Sequence, residues 1–268
     1  MSDLPIALIL AAGFGKRLGV LTERVPKCLL QVGGRPLLLH SLDRIASAGL
    51  EHVLVVLGHG AAEVMFVLKS WNGPLRISTC HAPAFEHEGS LGSLRAGLLE
   101  VGPARGIVVL ESDILYHCDF LTAALRSGTD TLLTADVSGS GDEVYVLADE
   151  LGRLSSLGKQ VTDEERLTVR GEFAGISHLG AGTSAAFIHC ADAWLAAGRL
   201  DAHYEEALLQ TCRAGTVSLR VCHCPGLPWT EVDNAADLAR AIEVVWPALC
   251  TASAHAAAHS PQSSNDCG

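Results

Sequence analysis

Apolar residues fall in a repeating rhythm along the first half of the chain. Residues 6–10 are an unbroken apolar run, which predicts a buried strand, and a glycine-bearing loop comes next. Leu37, Leu38, Leu42, Ile45 and Ala46 then recur at helical spacing. Pro36 suits the first turn of that helix and Gly49 closes it. Residues 52–58 (HVLVVLG) predict a second buried strand, 61–69 a second helix and 75–80 a third strand. A helix is expected from Ser90 through Leu99, a fourth strand at 106–112 (GIVVLES), a helix at 118–125 and a strand in DTLLTADV. Strands that are apolar throughout and alternate with helices imply a mostly parallel sheet covered on both faces. Such sheets bind ligands beyond the carboxyl ends of their strands. The first loop and the ESD triplet both lie at such ends.

From about Asp142 the rhythm changes. EVYVLADELGRLSSLGK predicts two short strands around an acidic, glycine-bearing turn. RGEFAGISHLG and TSAAFIHC are read as further strand material, then residues 191–197 and 204–212 as helices. TVSLRVCHC is another strand. In WTEVDNAADLARAIEVV, either Asp233 or Asn234 can cap a helix running to about Val245. The expected organisation is one domain over residues 1–248, with a small β-rich insertion at about 138–180. The rest, rich in Ala, Ser and His from Thr251 onward, is expected to be disordered.

Charge sharpens this outline. Lys plus Arg number 19 against 30 Asp plus Glu, for a net charge of −11. So acidic a chain argues against a nucleic-acid partner. No stretch approaches the ~20 apolar residues of a membrane helix, and the start of the chain lacks a basic leader, so it is read as cytoplasmic. The nine cysteines are scattered and are read as reduced thiols. The CHC triplet at 222–224 would put its side chains on alternate sides of a strand, and no second CxxC pair completes a zinc site.

Against that acidic background, the first loop stands out. Gly13 and Gly15 come after the strand, and Lys16, Arg17 and Lys27 come after them. Glycines free backbone N–H groups to converge on an anion, and the cations add charge. A phosphate-binding loop is the natural reading. A Walker loop would need glycine where Leu10 stands, and the strict dinucleotide fingerprint would need one at Leu18. Asp113, leaving the end of a buried strand, is placed either to bind Mg²⁺ or to cap the next segment. Asp233 offers a second carboxylate, with Glu231 beside it.

The stretch LAAGFGKRLGVLTERVPKCLLQVGGRPLL resembles the signature of the nucleotidyltransferases that couple a nucleoside triphosphate to a phosphorylated small molecule. The resemblance implies a Rossmann-like, three-layer α/β fold. It implies that Leu10, Ala11, Ala12, Gly13, Gly15 and Lys16 wrap the nucleotide, with Arg17 and Lys27 as the catalytic cations. It places Gly89, Ser90, Ser93 and Ser112 against the nucleotide, and Mg²⁺ on Asp113 and Asp233.

LESDILY, GDEVYVLADELGRLSSLGK, GEFAGIS, HYEEAL and WTEVD narrow the resemblance to the small cytidylyltransferases that act on phosphocholine or 2-aminoethylphosphonate. It implies CTP as one substrate and a small phosphonate or phosphate acceptor as the other. Tyr116, Asp142, Glu143, Lys159, Glu172 and Tyr204 become the acceptor-binding candidates. A homodimer is one assembly the resemblance allows. ESDILY and GDEVYV look closer to the phosphonate enzymes. Composition points the same way: a quaternary ammonium is usually caged by aromatic rings, and the chain has only six Phe, three Tyr and four Trp. A primary ammonium instead wants carboxylates and carbonyls. Tyr145, Tyr204 and Trp229 leave a partial cage open, and with it phosphocholine. A non-catalytic nucleotide-binding module is the alternative from a different class. It would have lost the cations or the carboxylates, and this chain retains both.

Overall fold

The computed structural model describes residues 4–258, except 16, 19–24, 103–105 and 163. In chain order the strands and helices begin with β1 (Ile6–Ala11), β2 (Gln31–Val32), β3 (Arg35–Pro36) and α1 (Leu37–Ser47). Then come β4 (His52–Leu57), α2 (Ala61–Ser70), β5 (Arg76–His81) and α3 (Gly89–Val101). Next are β6 (Ile107–Glu111), β7 (Ile114–Tyr116), α4 (Asp119–Arg126) and β8 (Thr131–Ala135). The second half holds β9 (Tyr145–Ala148), β10 (Leu154–Gly158), β11 (Val169–Leu179), α5 (Ala181–Ala196) and α6 (Tyr204–Arg213). It ends with β12 (Arg220–His223), β13 (Trp229–Glu231), α7 (Ala235–Arg240) and α8 (Trp246–Ala258), the last two joined by a π-helical turn at Ala241–Val245.

All six residues of β1 are buried, as expected of a strand covered on both faces. It pairs in parallel with β4 on one side and β6 on the other, and β4 pairs in parallel with β5. The spatial order β5-β4-β1-β6 therefore reverses direction at β1/β6, the topological switch point where open α/β sheets hold ligands. Beyond β6 lies β11, the antiparallel strand, and beyond it β8 and the parallel β12.

Alternation along β1 divides the core into two layers. Ala7, Ile9 and Ala11 face a cluster built with Leu38, Leu42 and Ile45 of α1, Val64 and Leu68 of α2, and Phe120 and Leu121 of α4. Ile6, Leu8 and Leu10 face Leu91, Leu94 and Leu98 of α3, Phe187 of α5, and Ala207 and Leu208 of α6. Helices, sheet and helices make the three layers. A smaller third cluster joins Leu18, Leu30, Val32 and Leu115 to Val232, Val245 and Leu249 near the end of the chain.

Two local expectations change. TSAAFIHC is not strand: it lies inside α5. The buried positions are Thr183, Ser184, Phe187 and Ala191, a spacing of three and four residues, so the period is helical. The 138–180 region is rich in strands, as expected, and its strands join the main sheet: β9 pairs with β11, and β10 with β9, as one wing. Finally, α8 continues to Ala258, past the point at which order was expected to end at Thr251; residues 259–268 lie outside the described residues.

Candidate active site

The loop leaving β1 turns through Gly15, whose φ of +64° is a left-handed position where glycine carries no steric cost. The Leu18 N–H donates to the Gly15 carbonyl at 3.1 Å, and the His59 N–H donates to the Ala12 carbonyl at 3.0 Å. The loop is thus pinned to the end of the neighbouring strand β4. Lys27 opens a 3₁₀ turn (Lys27–Leu29) behind Pro26 and is nearly buried. Lys16 lies outside the described residues.

Two carboxylates converge on Lys27. Asp113 leaves β6 through a short turn, and its Oδ2 is 2.5 Å from Lys27 Nζ. Asp233 also pairs with Lys27, although 206 residues separate them in sequence. The antiparallel pair β7–β13 brings the two acids together: Glu231 is opposite Ile114, and the Val232 N–H donates to the Asp113 carbonyl at 3.0 Å. Asn234, not Asp233, caps α7. Its side chain accepts from the N–H groups of Ala236 and Asp237, and Asp237 accepts in return from those of Asp233 and Asn234. That reciprocal box leaves the Asp233 side chain to face the site.

The ion network extends outward. Arg17 Nη2 is 2.7 Å from Asp233 Oδ2, Arg17 also pairs with Asp142, and Asp142 pairs with Lys159. Burial works against the Lys27 ammonium, but Asp113, Asp233 and Glu231 outweigh it and raise its pKa. Arg17 is raised by Asp233 and Asp142 against its own burial. Burial opposes ionisation of Asp142 too, but the Lys159 hydrogen bond and Arg17 keep it below the usual carboxylate range.

A third acid group lies under the network. Oxygens of Glu111, Asp113 and Glu231 sit within 4.8 Å of one another. Burial, reinforced by Asp113, raises the Glu111 carboxyl; burial, then Glu111 and Asp113, raises that of Glu231. Asp113 Oδ1 is buried with no hydrogen-bond partner, which is costly unless something fills its place. A set of hard carboxylate oxygens with one orphaned acceptor fits a divalent cation of the magnesium type. Gly175 keeps room there: a Cβ on it would lie 2.8 Å from Glu111 Oε2, and its φ is +71°.

A cavity of about 340 Å³ opens over these groups, within the range of small-molecule sites. Leu10, Ala11, Ala12, Gly13, Gly15, Arg17 and Lys27 line one side; Gly89, Ser90 and Ser93 line another; Ser112, Asp113 and Asp233 line the floor. The nucleotide-binding and catalytic candidates named from the sequence, Lys16 aside, therefore meet in one place. Ser90 Oγ accepts from the Tyr204 N–H at 3.0 Å and Ser93 donates to the Gly89 carbonyl at 3.2 Å, so both hydroxyls also brace the wall they form. A Cβ on Gly89 would meet the Ala202 carbonyl at 2.7 Å.

The acceptor candidates scatter. Asp142 and Glu172 line a narrow crevice that shares Glu231 and Asp233 with the main cavity. Glu172 accepts from the Ser138 N–H at 2.7 Å, and burial raises its pKa. Lys159 reaches this rim through Asp142. Glu143 accepts from the Gly141 N–H at 3.1 Å and lines neither space. Tyr116 is core: it packs edge-on to Phe120 at 6.5 Å and lies 5.5 Å under the Arg44 guanidinium. Tyr204 is buried beneath the floor against Phe173, with its hydroxyl toward Glu111. Apolar neighbours pulled both tyrosines inward.

Several lining residues were not singled out from the sequence. Glu111 begins the ESD triplet, but as the last residue of a buried strand it reads as strand rather than ligand. Phe14 and Phe85 line the cavity with ring centroids 5.3 Å apart, and His59 lies 4.8 Å from Phe14. Asp201 and His203 complete the rim from the loop between α5 and α6; HYEEAL carried a signal for His203, and Asp201 had none.

Residues 7–167 match the MobA-like NTP transferase domain. The chain is 27% identical over 257 residues to the CMP-5'-(3-aminopropyl)phosphonate synthase of Streptomyces rubellomurinus, covering 86% of this chain and 37% of that protein. It is 27% identical over 159 residues to the mannose-1-phosphate guanyltransferase of Debaryomyces hansenii, covering 59% of this chain and 41% of that one. The chain thus spans well under half the length of these relatives. Among solved structures, the CTP:phosphocholine cytidylyltransferase of Streptococcus pneumoniae shares the fold, with a TM-score of 0.67 at 20% identity, covering 90% of this chain and 99% of that one. No helix among the described residues is long and apolar enough to cross a membrane.

Proposed function

Because the chain belongs to the MobA-like NTP transferase family, we propose that it transfers CMP from CTP to 2-aminoethylphosphonate and releases pyrophosphate. The observation that carries this reading is the convergence of Lys27 and Arg17 on Asp113 and Asp233 at the sheet's switch point. Cations and carboxylates interlocked beneath a cavity of nucleotide size suit a site that must hold both a polyphosphate and a metal. They also favour an enzyme over a module that only binds.

The reaction is a single in-line displacement. A phosphonate oxygen of the acceptor attacks the α-phosphorus of CTP, and the bond to the β-phosphate oxygen breaks. The nucleophile is already an anion near neutral pH, so positioning and charge neutralisation carry the catalysis. Gly13 and Gly15 give the triphosphate access to backbone N–H groups. Arg17 and Lys27 offset the charge that develops on pyrophosphate. Asp113 would hold Mg²⁺ with Asp233, and Glu111 and Glu231 stand close enough to join them. Bound there, the ion would supply charge neutralisation at the reacting phosphate.

The amine end of the acceptor would meet Asp142 and Glu172 at the mouth of their narrow crevice, which Arg240 also lines. Among the described residues lining it, the one aromatic is Trp229, buried and donating its indole N–H to the Ala174 carbonyl at 2.9 Å. Carboxylates without a cage favour a primary ammonium over a quaternary one. The name of the Streptomyces relative, an aminopropylphosphonate enzyme, supports the same class of acceptor. Lys159 pairs with Asp142 at the crevice mouth and suits the phosphonate end.

The test is pyrophosphate release with CTP and Mg²⁺ across a panel of 2-aminoethylphosphonate, phosphocholine and sugar phosphates. Release fastest with the aminophosphonate is expected. Preference for phosphocholine or a sugar phosphate would reassign the acceptor. Silence with every acceptor and every nucleoside triphosphate would leave a binding module.

A further inference from the structure

Among the described residues, two besides glycine hold a left-handed backbone: Asp130, at a φ of +61°, and Asp201, at +58°. That conformation is uncommon for a side chain and persists where the surroundings impose it. For Asp130 the reason is structural: its carboxylate accepts from the Gly180 N–H at 2.9 Å, just before α5. No such contact explains Asp201. Among the described residues, nothing donates to its carboxylate or pairs with it. The neighbouring His203 turns instead to Glu205, with Nδ1 3.6 Å from Oε1. Yet Asp201 lines the cavity.

The backbone around Asp201 is stitched to the start of α3. The Asp201 N–H donates to the His87 carbonyl at 2.7 Å, and the Leu91 N–H donates to the Ala202 carbonyl at 3.1 Å. The Tyr204 N–H donates to Ser90 Oγ on the same seam. Gly89 lets the two segments touch, since a Cβ there would also lie 3.1 Å from the Asp201 carbonyl carbon. The loop therefore holds its rim residue in one place.

The lining near α3 differs in kind from the ionic floor. Phe85, which precedes α3, and Phe14 of the first loop set their rings 5.3 Å apart on the cavity. With the cations and acids taken by triphosphate and metal, these rings are left to stack a base. Stacking takes any base, because every base has a π-face. Choosing among bases needs a polar group at the base edge. Cytosine presents an amino donor where uracil presents a carbonyl acceptor. An ionised carboxylate can only accept, so it suits the first and repels the second.

We propose that Asp201 selects the base: its carboxylate accepts from the exocyclic amino group of CTP and disfavours UTP. The inference rests on the CTP reading above and adds the residue that enforces it.

Equilibrium dialysis with labelled CTP or UTP, in the presence of Mg²⁺, tests this without acceptor or turnover. The wild-type protein should favour CTP by about 10–100-fold, the scale of one hydrogen bond to a charged group. Asp201→Asn keeps a residue that tolerates the left-handed backbone, but its amide can donate as well as accept. UTP affinity should rise and the preference should collapse. Asp201→Gly keeps the backbone without steric cost and removes the carboxylate, so CTP affinity should fall to that of UTP. Circular dichroism confirms that both variants fold. A wild-type preference for CTP that both variants keep would overturn the proposal and leave the proposed function standing. So would a preference lost in Glu86→Gln but kept in Asp201→Asn, since Glu86 is the other exposed carboxylate of the lining. Wild-type protein that binds UTP as tightly as CTP would remove the CTP reading itself, and this inference with it.

Discussion

The proposed nucleotide side and the proposed acceptor side of the site are built differently. On the nucleotide side, Lys27, Asp113 and Asp233 are largely buried, mutually paired and carried on segments fixed by the central sheet or by β7–β13. On the acceptor side, Asp142 and Lys159 are a third to a half exposed and come from loops of the outer wing. Exposed pairs add little stability, because water screens them. Buried ones are costly to break, because the surviving charge has no partner. The nucleotide side therefore has one geometry, while the acceptor side can exchange Lys159–Asp142 or Arg17–Asp142 contacts for contacts to a ligand. On the proposed reading, the contrast would set the chemistry on a fixed frame and the specificity on an adjustable rim.

The sharpest way to break the contrast is at its rigid half. Lys27→Ala and Asp113→Ala should each lower kcat/KM by about 10²–10³-fold, the scale for losing a preorganised charge at a reacting phosphate or acyl centre. Steady-state pyrophosphate release measures this, with far-UV circular dichroism showing that the fold persists. An Asp113→Ala enzyme of near wild-type rate would remove that residue from the metal site.

On the adjustable half, Glu172→Gln keeps the acceptor oxygen for Ser138 but loses the charge. It should raise the KM for 2-aminoethylphosphonate by about 10–100-fold, the equivalent of one hydrogen bond to a charged group. Little change is expected in kcat or with ethylphosphonate, which lacks the amine. A collapse of kcat instead would mean that Glu172 belongs to the rigid half.

The seam between the halves is probed by Gly175→Ala. The added methyl meets Glu111 Oε2 at a left-handed backbone position, which costs on the order of 1–3 kcal/mol for a non-glycine residue. Urea denaturation should show that loss, and the Mg²⁺ needed for half-maximal activity should rise. A stability loss with an unchanged metal requirement would separate Gly175 from the acid cluster. The smallest effect is expected at Asn234→Ala. Removing the cap of α7 should cost about 1 kcal/mol of stability while kcat changes less than about twofold, since Asp237 still holds the Asp233 N–H. A large fall in kcat would show that the cap, rather than β13, aims Asp233.

Much of the frame was legible in the sequence. The apolar runs of β1, β4 and β6 and the helical spacing of α1 and α3 come from local periodicity, and local periodicity is what a covered sheet imposes on its strands. The glycine loop with its cations raised the expectation of an anion site, and the structure sets that loop on the cavity wall. Other features resisted. α5 hid behind β-branched and aromatic letters in TSAAFIHC, because a four-residue apolar period is inconspicuous among so many alanines. Tyr116 and Tyr204 looked like ligands because a tyrosine near an acid motif can be either core or contact, and burial alone separates them. Glu111 passed unnoticed because a carboxylate at a strand end gains meaning only when other carboxylates are beside it.

The sequence by itself determined the layered α/β sheet, the loop after β1 and the separate acids Asp113 and Asp233, since each is written in a short contiguous stretch. Only the tertiary structure decided that β13 pairs with β7. That pairing sets Asp233 beside Asp113, closes both on Lys27 and gathers Glu111 with Glu231. The physical reason is range. Side-chain periodicity reports whether a segment faces the core, but carries no information about which distant segment it will meet there. The charges that make this site work act over a few ångströms of space, across most of the length of the chain.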